Sequence, residues 1–190
     1  MAESAPAQMR VSSERYLRLV DEGVLQVTDR VELLEGVVVA MSPISPPHAV
    51  ATEKTAAALR AAVGARAVVR VQQPLHVGLS SVPEPDVAVV PGTHDDYAGR
   101  HPETALLVVE VAESTLVQDR LTKAMIYAAA GVPEYWIVNL RDDCVEVRHA
   151  PDAAVGRYLE CRTVPRGGQI ALDAFGATVA VDELLPGRAG

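Results

Sequence analysis

The stretch at 105–140, ALLVVEVAESTLVQDRLTKAMIYAAAGVPEYWIVNL, decides the fold. Residues 105–109 form an apolar run with the length and Val/Leu content of a buried strand. A polar turn follows, then a helix expected from near Asp119 to Gly131, and a second apolar strand at 134–140, so the unit is strand, helix, strand. The sequence places a carboxylate, Glu110, where the first run should be driest. Lys123 then falls in the expected first turn of the helix, where the macrodipole disfavours a cation. Two local rules broken together mark a candidate functional site. Bland alternatives stand beside this. Glu110 can alternate to a wet face with Val109 and Val111 inward, and Asp119 can cap the helix or pair with Lys123 four residues on.

Upstream, 85–90 (PDVAVV) reads as a strand whose second residue is Asp86. Residues 67–73 are the strand before it, 77–81 a brief hairpin return, and 92–102 a polar loop. Residues 30–41 read as a hairpin turning at Glu35-Gly36. Ser12 or Ser13 caps a short helix reaching about Asp21, with Tyr16, Leu17 and Val20 inward and Gly23 at its end. Pro43, Pro46 and Pro47 are expected to stop regular structure, which puts the start of an alanine-rich helix at His48 and its end near Val63, before Gly64. Its inward positions are Ala51, Thr55, Ala58, Leu59 and Ala62. Downstream, 144–149, 158–164 and 170–174 read as strands and 181–185 as a last helical turn. Residues 1–10 are expected to be a flexible tail, 11–186 one domain, and 187–190 a second short tail.

Composition narrows the function. With 49% hydrophobic residues the chain can bury a sizeable core, yet no uncharged apolar run approaches the ~20 residues of a membrane helix, so a cytoplasmic location and no membrane partner are expected. Cys144 and Cys161 lack ligand spacing and read as plain strand residues. A net charge of −8 has the wrong sign for affinity led by phosphate neutralisation. A nucleic-acid partner must then be met by local groups such as Arg60, Arg66 and Arg70, or Arg100 with His101. Aromatic content of 4% makes Tyr135 and Trp136 core or interface residues and not a base-stacking platform.

Asp86 and Glu110 each sit on or beside an apolar strand. If those strands are neighbours, the two carboxylates share a site suited to Mg²⁺ or Mn²⁺, which need only one or two protein carboxylates. Lys123 then adds a compact positive charge able to orient a water or stabilise charge developing on phosphorus.

Over residues 30–140 the chain resembles the bacterial Uma-two family, labelled "putative restriction endonucleases", within the PD-(D/E)XK nuclease superfamily. The matching pieces are VELLEG at 31–36, SPPH at 45–48, PEPDVAVV at 83–90, LVVEVAEST at 107–115, DRLTK at 119–123 and YAAAGVPEYWIVNL at 127–140. The resemblance implies an α/β (α+β) restriction-endonuclease-like core, a central mixed β-sheet flanked by helices, with a Mg²⁺ (or Mn²⁺) site. It implies Asp86 and Glu110 as metal ligands and catalytic residues. The superfamily's lysine belongs two positions after the acid, where this chain has Ala112; Lys123 takes that role from the following helix. Leu121-Thr122 stand where relatives carry Gly-Glu. Glu32 and His48 match family positions at the edge of the site, and Gln73 and Asp119 are further edge candidates. The implied activity is Mg²⁺-dependent endonucleolytic hydrolysis of DNA by a homodimer. The alternative is a non-catalytic homo-oligomeric interaction module that retains the nuclease fold.

Overall fold

Turn chemistry and helix caps set the elements of the computed structural model, which describes residues 10–188. Helix α1 (Ser13–Asp21) starts where the Ser12 hydroxyl accepts the Arg15 N–H at 3.2 Å. Strands β1 (Val31–Leu34) and β2 (Val37–Ala40) form the expected hairpin. Its turn residues Glu35 and Gly36 have φ of 48° and 81°, both positive as a two-residue type I′ turn requires.

Helix α2 (Pro46–Val63) begins two residues before the expected His48, which corrects the reading of Pro46 and Pro47 as breaks. The first turn of a helix has N–H groups with no intrahelical acceptor, so prolines lose nothing there. The Ser45 hydroxyl takes the first free donor, His48 N, at 3.3 Å.

Strands β3 (Val68–Val71), β4 (Val87–Val90), β5 (Leu107–Ala112), β6 (Glu134–Asn139), β7 (Cys144–Asp152) and β8 (Arg157–Pro165) build one sheet in that spatial order. Only the β5–β6 pair is parallel, because a helical crossover joins them; the rest are antiparallel, which makes the sheet mixed. A separate ribbon pairs β9 (Gln169–Leu172) with β10 (Ala177–Ala180). The expected strand at 170–174 therefore ends early in a tight turn at Asp173–Phe175, and β10 was not foreseen.

The crossover departs most from expectation. It consists of α3 (Leu116–Gln118), a π-helical turn (Asp119–Lys123) and α4 (Ala124–Ala129). Lys123 is thus not in a first helical turn and Asp119 is not an N-cap, so the macrodipole argument lapses. A π turn is rare and tends to occur at functional sites.

Both faces of the sheet are covered. Val109, Val111, Trp136, Val138 and Val147 pack with Leu59 and Val63 of α2 and with Leu184 and Leu185. Val108, Tyr135 and Ile137 pack on the other side with Leu116, Ile126 and Tyr127 of the crossover. Alternation along β5 therefore sends Glu110 beneath a helix and not to water; it is 3% exposed. Cys144 and Cys161 are free thiols on β7 and β8. Of the expected tails, 1–9 and 189–190 lie outside the described residues. Arg10 Nη1 donates to Glu35 O at 2.8 Å and Arg188 Nη2 lies 3.0 Å from Asp143 Oδ2. No helix among the described residues is long and apolar enough to cross a membrane.

Candidate active site

Three elements deliver the central groups. In the antiparallel register Val87 faces Val109, and one step further Asp86 leaves the ladder at the edge of β4. Its side chain replaces the missing backbone pair: Oδ2 accepts the Val111 N–H at 2.8 Å. Strand β5 supplies Glu110 beside it, and the π turn supplies Lys123. Lys123 Nζ lies 3.0 Å from Glu110 Oε1 and 3.3 Å from Glu32 Oε1. Tyr127, one helical turn beyond Lys123, donates its hydroxyl to the same Glu110 oxygen at 2.7 Å. Both contacts fall on Oε1, which leaves the second oxygen uncommitted to them.

His48 reaches in from the first turn of α2, with Nε2 3.1 Å from Asp86 Oδ2 and Nδ1 3.4 Å from the Thr52 hydroxyl. Glu32 is held from β1, its Oε2 accepting the Glu84 N–H at 3.2 Å. Asp119 accepts from the Thr115 hydroxyl at 2.6 Å and lines the same cavity of about 50 Å³, together with Glu32, His48, Asp86, Glu110 and Lys123. The expected Asp119 to Lys123 helix pair is replaced, because Lys123 is taken by Glu110 and Glu32.

Gln73 is a correction. It lines a neighbouring cavity with Arg70 and His76, and Gln72 takes its place, with Nε2 donating to Asp86 Oδ1 at 3.2 Å. The cause is local: β3 ends at Val71, and Gln72 adopts φ of 48°, so the strand does not run on to carry Gln73 to the site. Sequence reasoning also missed Tyr127 and Glu84. Tyr127 had a signal in its spacing of four from Lys123, whereas Glu84 sits in an irregular segment with none.

The electrostatics are one-sided. Glu32, Asp86, Glu110 and Asp119 are all buried, and Lys123 is the buried cation among them, with the more open Glu84 and Arg30 at the rim. Burial pushes the Glu110 carboxyl up to about 8; Lys123 opposes that rise, while Asp119, Asp86 and Glu32 add to it. Burial likewise raises Asp119 to about 6 against the pull of Lys123 and Thr115. Burial alone would lower Lys123, but Glu110, Glu32 and Asp119 outweigh it and hold the ammonium protonated well above its ordinary range. His48 behaves alike: desolvation lowers it, but the hydrogen bond to Asp86 together with the charges of Asp86, Glu113 and Asp119 outweighs that, and its pKa rises. The pocket is therefore short of positive charge.

Among the described residues no three of His, Cys, Asp and Glu form a ready-made ligand cluster. A zinc-like cage is the wrong fit. Two hard carboxylates in a polar cavity with unbalanced negative charge fit instead a small divalent cation that retains its waters. Of the expected basic groups, Arg66 is used up on the carbonyls of Ala62, Val63 and Phe175, whereas Arg70 stacks over Tyr97 at 5.5 Å. Tyr135 and Trp136 are fully buried, as expected of core aromatics.

A family model described as "Uma2: Putative restriction endonuclease" matches residues 13–182. Among solved structures the chain is similar to one described as a putative nuclease belonging to DUF820 from Anabaena variabilis ATCC 29413. The two share 13% sequence identity with a TM-score of 0.72, over 92% of this chain and 97% of the other, a likeness of fold. No curated protein matches the chain.

Proposed function

The chain belongs to the Uma2 family of "putative restriction endonucleases", and from that premise we propose that it is a Mg²⁺-dependent phosphodiesterase that cleaves nucleic acid, DNA in the first instance. The observation that carries this reading is the buried carboxylate excess around Lys123. Four buried acids against one ammonium are costly to maintain for structure alone, since well-packed apolar residues of similar volume would serve stability as well or better.

Asp86 and Glu110 would hold the cation, Asp86 kept in place by Val111 N–H, Gln72 and His48, and Glu110 by Tyr127 and Lys123. Bound Mg²⁺ or Mn²⁺ would polarise the phosphate and lower the pKa of a water. Lys123 stays an ammonium through neutral pH, so its part is to stabilise negative charge on the phosphorus oxygens and to position the water, not to accept a proton. Hydrolysis releases one proton from the attacking water and delivers one to the leaving oxygen. Asp119, near 6, titrates in the range where such exchange is efficient. Glu32, 3.3 Å from the ammonium, holds Lys123 together with Glu110.

Cleavage of plasmid and of single-stranded DNA with Mg²⁺ or Mn²⁺ tests the reading, with Asp86→Ala and Lys123→Ala beside the wild type. Cutting by the wild type that falls at least 100-fold in both variants supports it. Equal residual cutting by all three overturns it.

A further inference from the structure

Three cavities adjoin along this side of the molecule. The first is the site already described. Next comes a mainly apolar cavity of about 510 Å³, which shares Arg30, Gln72 and Glu84 with that site. It shares Leu17 and His101 with a third cavity of about 530 Å³, lined by Arg70, His76, Arg100 and His101 and by Asp21 and Glu103. The character thus changes from acidic to apolar to a mixed-charge cavity that holds two arginines.

Arg70 makes the far end chemically distinct. Its Nε is buried without a hydrogen-bond partner, and among the described residues its guanidinium makes no ion pair; only the Tyr97 ring stacks on it. A buried, unmet guanidinium donor is uncommon, because leaving it unpaired costs free energy that an anionic acceptor would recover. Arg148 Nε is also buried and unmet, but that guanidinium is held through its Nη atoms by Glu146 and the Arg120 carbonyl, and Arg66 and Arg166 likewise meet a carbonyl or carboxylate; what sets Arg70 apart among the described residues is that no atom of its guanidinium has such a partner. His101 is pulled below its ordinary pKa, first by burial and then by Arg70, with Asp21 opposing, so it offers a neutral N–H donor beside the arginines. Two histidines and Arg100 facing a planar, stacked guanidinium suit a tetrahedral oxyanion.

We infer that the Arg70 cavity is a phosphate subsite that takes a non-scissile backbone phosphate of the polynucleotide whose neighbouring phosphodiester lies at Asp86 and Glu110. This rests on the phosphodiesterase reading and adds to it the register of the substrate. Arg70 pairs across the sheet with Ala88, two residues along β4 from Asp86, so the main-chain offset is about 7 Å at ~3.3 Å per residue. Successive phosphates of an extended single strand stand roughly that far apart, so the phosphate held is the one next to the cut. The apolar cavity between them accommodates the intervening sugar and base, which explains how a chain of net charge −8 holds a polyanion: it needs one built anion site and not a basic face.

The test is binding of a short fluorescent single-stranded oligonucleotide with Ca²⁺ in place of Mg²⁺ to hold back hydrolysis, for the wild type, Arg70→Gln and Arg100→Gln. Each backbone phosphate is replaced in turn by a neutral methylphosphonate, and inorganic phosphate is titrated separately. The inference expects about tenfold weaker binding for Arg70→Gln, and a salt slope reduced by about 0.7. It also expects one methylphosphonate position that weakens the wild type but not Arg70→Gln. Should Arg70→Gln fail to fold, the same positional loss in Arg100→Gln, whose side chain is exposed, carries the decision. A wild type that binds and cleaves while both variants match it at every position overturns the subsite and leaves the phosphodiesterase reading standing. Arg70-dependent binding of inorganic phosphate with no effect on the oligonucleotide overturns it too. A wild type that neither binds nor cleaves overturns both.

Discussion

Replacing Glu110 by Gln should stabilise the protein without metal, and more so as pH rises. The Glu110 carboxyl is fully buried and displaced from 4.5 to about 8. Between those values the native state holds a proton that the unfolded chain has released, so stability falls as pH rises through the window. At about 1.4 kcal/mol per tenfold, the penalty is on the order of 1 kcal/mol at pH 5.5 and 4 to 5 kcal/mol at pH 8.5. Glutamine removes the titration while its carbonyl still accepts from Tyr127 and Lys123. The advantage of Glu110→Gln over the wild type should therefore grow by roughly 3 kcal/mol between those pH values, or about 6–12 °C in Tm for a chain of this size. Thermal melts of both proteins in EDTA at pH 5.5 and 8.5 measure it. A gap that does not change with pH, or a variant less stable at pH 8.5, would refute the premise that Glu110 is a strained carboxylate awaiting a cation.

Because the cation must displace that proton, Mn²⁺ affinity by calorimetry should fall close to tenfold per unit as pH drops below about 8, and a flat profile would exclude Glu110 as a ligand. Lys123→Met removes the ammonium between Glu110 and Glu32; melts should show a loss of about 3 kcal/mol that Lys123→Arg largely restores, with DNA cleavage down at least 100-fold in Met. Gln72→Ala should lower cleavage about tenfold by loosening Asp86, and unchanged cleavage would show that Gln72 does not hold that carboxylate.

The fold was legible where one physical signal dominated. Val-rich runs located β4, β5 and β6, and a Glu-Gly pair located the hairpin turn, because β-branched packing and positive φ are written in single residues. What failed needed context. Two prolines read as a break were a helix start, since only the Ser45 cap reveals that their missing donors cost nothing. The π turn at Asp119–Lys123 has no sequence signature, and it moved Lys123 from a supposed first turn to the middle of the crossover. At the candidate site, Glu110 could be named as a charge out of place in an apolar run, whereas Asp86 and Lys123 rested chiefly on the family resemblance. Gln72 could not, because one left-handed residue at the end of β3 exchanged it with Gln73. Tyr127 was not singled out, and its hydroxyl on Glu110 became apparent only with the helix in place.

The most direct measurement is anomalous diffraction from crystals grown with Mn²⁺, for the wild type and for Asp86→Asn. The account predicts one strong peak within coordinating distance of the Asp86 and Glu110 carboxylates, with Lys123 Nζ close by, and its loss in the variant. A protein that cleaves DNA with Mn²⁺ yet shows that peak elsewhere, or keeps it undiminished in Asp86→Asn, would contradict the account.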